Sequence, residues 1–378
     1  MTASRVIVHN KKTPIFEMFL AENGELESLG EILNMDLMPI CLQNEYTIER
    51  VAKWMNSRSV PKTRDGLGKV LKQFGDIDAR HGMFSLSDQY WVQWNDNESW
   101  EKGNFFRRHY QTDYGRMFFS PWSVRKNNIR QESPDRTTNG VLRKRGVQPD
   151  ENDPTSYLIK AGSRAAHQEP ISEVLSSMTL SMLDIIPYVE YEFVIDGLQL
   201  CSRCRNFICE DTEFVPASHV YWAVPQKDGE TPFMHMIRAC EAFGVIDTED
   251  YLLRMIAADY LLCNNDRHLG NFGFIRSAET GKILSFAPLF DSGSAFFGNA
   301  NKDGQKSRLF SGMEEKSLSY TIKKCDLSQK FRYKDLTDVI EMYPLLSGAE
   351  KKRINEQVAC VYDRLNRMIK AENDRRGT

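Results

Sequence analysis

The amino-acid sequence predicts an α+β protein: a mixed amino-terminal and middle part, followed by a mostly helical last third. Three observations carry that expectation. Two strand-like runs, residues 188–195 and 198–208, flank Asp196-Gly197, a dipeptide that favours tight hairpin turns. Apolar residues recur at helical spacing through 171–183, 249–262 and 349–371, two of these segments lying in the last third. Hydrophobic residues make up 41% and charged residues 27% of the 378, the balance of a chain that buries a core.

The amino-terminal segment mixes short apolar runs with aromatics. Within it 47–55 reads as a helix with Ile48, Val51, Ala52 and Met55 on one face, and 84–94 reads as irregular, aromatic packing. Between 120 and 153 the chain turns polar, basic and rich in turn formers. It is either a surface loop or a loop that handles phosphate, since a long loop without structure of its own is uncommon unless it has a function. Residues 156–160 then read as a strand ending in Lys160. The helix over 171–183 carries Ile171, Val174, Leu175, Met178, Met182 and Leu183. The helix over 249–262 carries Leu252, Leu253, Ile256, Tyr260 and Leu261. A polar loop and two short strands, 272–275 and 282–286, follow it, and 349–371 closes the chain with a stripe of Ile354, Val358, Val361 and Leu365.

At roughly 150 residues per domain the length implies two to three units, drawn here as 1–120, 121–215 and 216–378. A net charge of −3 gives no support to a mainly electrostatic nucleic-acid binder, and no direct nucleic-acid contact is expected. No apolar run approaches the ~18 residues of a membrane span, and the amino-terminal apolar run is only Val6 to Val8, so a cytoplasmic chain without membrane contact is expected. The eight cysteines suit a reducing compartment. Cys201, Cys204 and Cys209 could bind zinc with His219 as a loosely spaced fourth ligand, but ordinary thiols on a strand pair are the preferred reading.

The chemistry concentrates in 264–293. Asp266 lies in a loop after a helix, Asn271 follows five residues later, and Asp291 comes after a two-strand hairpin. Protein kinases place a catalytic aspartate and a metal-binding asparagine at this interval, with a later aspartate completing the cation site. The spacing has a physical reason: the first carboxylate must face the incoming hydroxyl while the amide oxygen reaches back to a magnesium ion among the phosphates. Magnesium takes hard oxygen ligands, so one amide oxygen and one carboxylate suffice beside phosphate oxygens. Each residue alone is an ordinary turn former; their order, with a helix before and a hairpin between, is what points to chemistry. His268 either donates to the transferring group or braces the loop, and bracing is expected. A kinase also needs a strand lysine held by a helix glutamate. Lys160 and Glu173, thirteen residues apart, stand in that order. Ser133, Thr137, Thr138, Asn139 and Gly140 are the candidate phosphate-cradling turn, in place of a glycine triplet.

The run DRHLGNFGF, followed by LFDSG, resembles the HipA-like serine/threonine kinases and, more distantly, the phosphoinositide kinase superfamily. The likeness covers about 120–371 and is strongest over 264–293. It implies a two-lobed protein-kinase-like fold with a mixed N-lobe and a mostly helical C-lobe, and ATP and Mg²⁺ as cofactors. It assigns Asp266 as the catalytic aspartate, Asn271 and Asp291 as magnesium ligands, and Lys160 as the nucleotide lysine. It implies a loop before the lysine that can be phosphorylated and swing out, with Ser133, Thr137 and Thr138 as candidates, although the loop departs from the family's usual Gly-Ala-Gln pattern. It further implies a protein substrate and an antitoxin-like partner. The alternatives are a lipid or small-molecule kinase, and a nucleotide-binding pseudokinase acting as an interaction module of a toxin–antitoxin pair.

Overall fold

A computed structural model describes residues 4–21, 24–68, 83–107, 113–119, 133–138, 141–148, 155–162, 168–296, 307–325, 327, 333–342 and 346–376. The chain opens with strands β1 (Ser4–Asn10), β2 (Thr13–Leu20) and β3 (Leu26–Ile32). With β4 (Tyr90–Gln93) they form an antiparallel sheet in the order β3-β2-β1-β4. Strand β1 buries Val6, Val8 and Asn10, the period-2 alternation of a half-buried strand. The expected helix runs Ile48–Ser57, with the Thr47 hydroxyl accepting from the Arg50 amide as its cap. It buries Val51 and Trp54 against Ile15, Phe16, Met18 and Leu20, while Ile48, placed on the buried face by periodicity, is exposed. Nor is 84–94 irregular throughout, because β4 supplies the edge partner of β1.

The second sheet holds β5 (Lys144–Val147), β6 (Tyr157–Ala161), β7 (Tyr191–Asp196) and β8 (Gln199–Arg205) in the antiparallel order β5-β6-β8-β7. Asp196 pairs with Gln199, so the hairpin loop is Gly197-Leu198, one residue later than the sequence indicates. Gly197 has φ +65°, which a glycine adopts without the steric cost a side chain would add. The helix Gln168–Leu183 packs on this sheet and buries Ile171, Val174, Leu175, Leu180 and Leu183. Cys201 and Cys204 lie three apart on β8 and point to opposite faces. Cys201 joins Tyr114, Met117 and Phe118; Cys204 joins Val174, Val189 and Tyr191. A single ion cannot take both. Burial pushes these thiols up to about 12 and about 11, which keeps them protonated and inert at neutral pH.

The third sheet is β9 (Thr212–Pro216), β10 (Gly273–Ser277) and β11 (Ile283–Phe286) in the order β11-β10-β9. A boundary at residue 215 therefore cuts through a strand whose partner lies some sixty residues on in the carboxy-terminal part. Gly273 is needed where it stands: a Cβ there would sit 2.1 Å from the Val215 carbonyl oxygen. The rest is helical, with Pro232–Ala242, Glu314–Lys324 and Gly348–Arg376 gathered around Thr248–Leu262. That central helix is buried on nearly every side, and the closing helix buries Ile354, Val358, Val361 and Leu365 as its periodicity requires. Among the described residues no helix is long and apolar enough to cross a membrane.

One buried arginine joins the first sheet to the third. Arg276, 1% exposed, donates from Nη1 to Glu213 Oε1 at 2.7 Å and to Tyr90 Oη at 2.8 Å, and from Nη2 to the Asp36 carbonyl at 2.7 Å. Tyr90 in turn donates to the Leu37 carbonyl, and Asn10 Nδ2 donates to Glu213 Oε2. Replacing Arg276 by methionine strands Glu213 without its counter-charge. Urea unfolding of Arg276→Met is expected to show a loss of about 3–5 kcal/mol.

Candidate active site

The register of the second sheet builds the first half of the site. Lys160 on β6 stands directly opposite Lys144 on β5 and Ser202 on β8, so the three side chains share one face. The helix Gln168–Leu183 lays Glu173 over that face. Lys160 Nζ donates to Glu173 Oε1 at 2.6 Å and to Asp291 Oδ1 at 2.9 Å, and lies 3.4 Å from Tyr191 Oη. The Ser202 hydroxyl donates to Glu173 Oε2, which leaves both carboxylate oxygens engaged. Burial works against the Lys160 ammonium, but the charges of Asp291 and Glu173 outweigh it and raise its pKa well above the usual lysine range. Burial likewise works against Asp291, and Lys160 and Lys144 overcome it to hold that carboxyl well below the usual range. Glu173 moves up, because its burial is nearly complete and the Asp291 charge adds to it. Lys144, half-buried and facing a like charge, is pushed down to about 8 by loss of solvent and then by Lys160.

The second half grows from the end of the central helix. Thr248–Leu262 stops at Cys263, whose φ of 58° turns the chain into the loop. Arg267, 4% exposed, grips that helix from the loop: Nε and Nη2 donate to the two oxygens of Asp259, each at 2.9 Å. Its Nη1 donates to the carbonyls of Asn271 and Phe290, each at 2.6 Å, and its Nη2 reaches the Ser292 hydroxyl at 3.4 Å. Asn264 Nδ2 also donates to Asp259, at 2.7 Å. The loop backbone is thereby tied to the segment that carries Asp291, itself in the left-handed region at φ 58°. The Asp266 side chain is half exposed, and its ion-pair partner among the described residues is Arg308, at 3.7 Å. Asn271 Nδ2 donates to the Asp266 carbonyl at 3.0 Å, which uses the amide nitrogen and leaves Oδ1 as the group able to accept or to ligate a cation. His268 is exposed, and its Nδ1 accepts from the Gly270 amide at 3.0 Å, so the ring braces the loop.

The turn upstream of β5 is a 3₁₀ helix, Pro134–Thr137. Ser133 caps it by accepting from the Asp135 amide. The Thr137 hydroxyl donates to the carbonyls of Phe84 and Pro134, and the Thr138 hydroxyl to that of Asp135. Arg64 Nη2 donates to the Thr138 carbonyl at 2.6 Å. Buried Asp135 accepts from the Gly146 amide, which holds the turn against β5. Among the described residues no hydrogen bond or ion pair joins this turn to Lys160, Asp266 or Asp291. Asn139 and Gly140 lie outside the described residues.

The structure thus brings Lys160, Glu173 and Asp291 into contact and links Asp266 to Asn271 through one hydrogen bond. Sequence reasoning missed Asp259 and Arg267, which position the loop; Tyr191 and Ser202, which flank Lys160; and Lys144. Asp259 carried a faint signal, a carboxylate inside an otherwise apolar helix stripe. Lys144, Tyr191 and Ser202 carried none, since only strand register brings them to Lys160.

No family model matches the chain. Over 86 residues it is 37% identical to the serine/threonine-protein kinase CtkA of Helicobacter pylori, a match that covers 21% of this chain and 26% of that protein. The chain therefore matches about a quarter of that relative's length. The crystal structure of Helicobacter pylori CtkA superposes with a TM-score of 0.49 at 16% identity, covering 62% of this chain and 91% of that one. HipA of Shewanella oneidensis MR-1, solved with HipB and operator DNA, superposes with a TM-score of 0.59 at 11% identity over 99% of both chains. The fold is a HipA-like kinase fold. Within this fold the antiparallel second sheet carries Lys160, and the segments after the central helix carry Asp266, Asn271 and Asp291. Arg267 is the tie inside the helical lobe. Arg267→Met leaves Asp259 buried without its charge partner and is expected to cost about 3–5 kcal/mol, read as a lower urea midpoint.

Proposed function

We propose that the protein is an ATP- and Mg²⁺-dependent serine/threonine kinase of the HipA-like type that transfers a phosphoryl group to a protein hydroxyl. The observation that carries this reading is Lys160 held between Glu173 at 2.6 Å and Asp291 at 2.9 Å. A kinase needs its strand lysine aimed by a helix glutamate and its cation-binding aspartate in place at the same time.

The donor set suits magnesium. Asn271 Oδ1 and the Asp291 carboxylate are hard oxygen donors. Among the described residues no group of three or more His, Cys, Asp or Glu gathers as a metal site, so nucleotide oxygens and water would complete the coordination. When bound, the ion supplies charge neutralisation across the phosphates. Lys160 adds its ammonium there, kept in position by Glu173 and Ser202. Asp266, exposed at the loop tip, accepts from the acceptor hydroxyl and orients it, while Arg267 and His268 hold the loop backbone still. An antitoxin-like partner belongs to the same proposal, since the HipA neighbour was solved with HipB. The charge balance argues against direct nucleic-acid binding, an expectation that gains no support from a neighbour solved on operator DNA.

Two measurements test the reading. Asp266→Ala is expected to lower phosphoryl transfer roughly 10²-fold or more with ATP affinity nearly unchanged, because the lost group acts on the hydroxyl. Asp291→Asn is expected to weaken ATP binding in Mg²⁺ calorimetry; binding indifferent to this change and to chelation would sink the cation assignment.

Ser133, Thr137 and Thr138 are the proposed self-modification sites. Their hydroxyls are engaged with protein partners, so modification requires the turn to release its bonds to Arg64, Phe84 and Asp135. A phosphate there adds a charge of about −1.5 to −2 and disfavours return of the turn beside a triphosphate. Intact-mass measurement after incubation with ATP and Mg²⁺ is expected to show an added phosphate in this turn that is absent from Asp266→Ala.

A further inference from the structure

Segment 307–312 is anchored more firmly than a surface turn requires. Glu314, 6% exposed, accepts from the Ser307 amide at 2.6 Å through one oxygen and from the Gly312 amide at 2.8 Å through the other. The Ser307 hydroxyl accepts from the Phe310 amide at 3.0 Å. Phe310 is buried edge-on to Phe233 and Phe272, with ring centroids 5.8 and 6.4 Å away. Phe272 directly follows Asn271, so the turn is packed onto the catalytic-loop segment itself. What this turn presents is Arg308, whose Nη1 lies 3.7 Å from Asp266 Oδ1 while its side chain is 72% exposed.

An exposed pair at that distance contributes at most about 1 kcal/mol, so stability does not account for the arrangement. Its position does. Among the described residues Arg308 pairs with Asp266, at the loop tip, while Asp291 is held by Lys160 at 2.9 Å. Under the kinase reading, a segment that brings its hydroxyl to Asp266 would pass beside Arg308, 3.7 Å from that carboxylate. When that hydroxyl engages Asp266, the guanidinium loses part of its hold on the carboxylate and is left facing the incoming chain.

Resting on the kinase reading above, we propose that Arg308 is an acceptor-recognition residue that binds an Asp or Glu side chain beside the acceptor serine or threonine. A guanidinium fork suits a carboxylate in bidentate geometry. It favours acidic acceptors by attraction and rejects basic ones by repulsion.

The test uses the full chain with Mg²⁺ and ATP, and serine peptides flanked at each neighbouring position by Glu, Ala or Lys. The wild-type protein is expected to prefer the best Glu-flanked peptide over its Ala-flanked counterpart by about fivefold in kcat/KM. Arg308→Ala removes that preference, Arg308→Lys retains part of it, and Arg308→Glu turns it toward Lys-flanked peptides. A preference that survives Arg308→Ala, or that the wild-type protein lacks, overturns the assignment while leaving phosphoryl transfer itself standing. An equal slowing on every peptide in Arg308→Ala also overturns it, because that places the arginine on the transferring group. Absence of transfer to any peptide or lysate protein sinks the kinase reading and this assignment with it.

Discussion

The guanidinium of Arg267 reaches three segments that are distant in the chain: the central helix through Asp259, the loop through the Asn271 carbonyl, and the segment before Asp291 through the Phe290 carbonyl. Burying a charged pair costs several kcal/mol per ion in lost hydration, and only dense hydrogen bonding offsets it. Arg267 meets that condition, since its hydrogen bonds occupy both Asp259 oxygens, two carbonyls and a hydroxyl. The consequence is geometric. A loop whose backbone is held from inside can leave Asp266 exposed at its tip without letting it wander. The same grip sets the spacing between Asn271 and Asp291.

The other half of the site depends on strand register. Lys160 can meet Glu173 only because β6 presents it on the face covered by the helix Gln168–Leu183; a one-residue slip would turn it to the opposite face. That register also sets Lys144 beside Lys160, a like-charge pair across two strands that is locally unfavourable. Asp291 interacts electrostatically with both cations. The halves are joined a second time through Ser172, next to Glu173, whose hydroxyl donates to the Ala295 carbonyl at 2.7 Å. The helix that aims the lysine is thus bonded to the segment that supplies its second carboxylate.

The amino-terminal sheet contributes none of the candidate catalytic groups, yet it is joined firmly to the rest. Arg276 connects it to the third sheet through Tyr90 and the Asp36 carbonyl, and Arg64 connects the amino-terminal segment to the Ser133–Thr138 turn.

The sequence by itself determined the type and order of the elements around the candidate site and pointed to the chemistry of one segment. The closing helix buries Ile354, Val358, Val361 and Leu365 because an apolar stripe at helical period has one stable solution, burial of that face. Asp266, Asn271 and Asp291 were legible because their spacing is local, a loop and a hairpin long. Lys160 and Glu173 were legible as a pair only in order; their contact, and those of Tyr191 and Ser202, arise from register and helix packing, which sequence neighbours do not encode. The hairpin loop was misplaced by one residue because Asp196 and Gly197 both favour turns, and cross-strand pairing decided between the settings. Cys201 and Cys204 read first as ordinary thiols on a strand pair, and strand geometry sends them to opposite faces. Local periodicity acts within a few residues and can be read along the chain. A buried charge such as Arg267 or Arg276 is stable only where partners from several segments converge, so the tertiary structure alone decided where those charges lie.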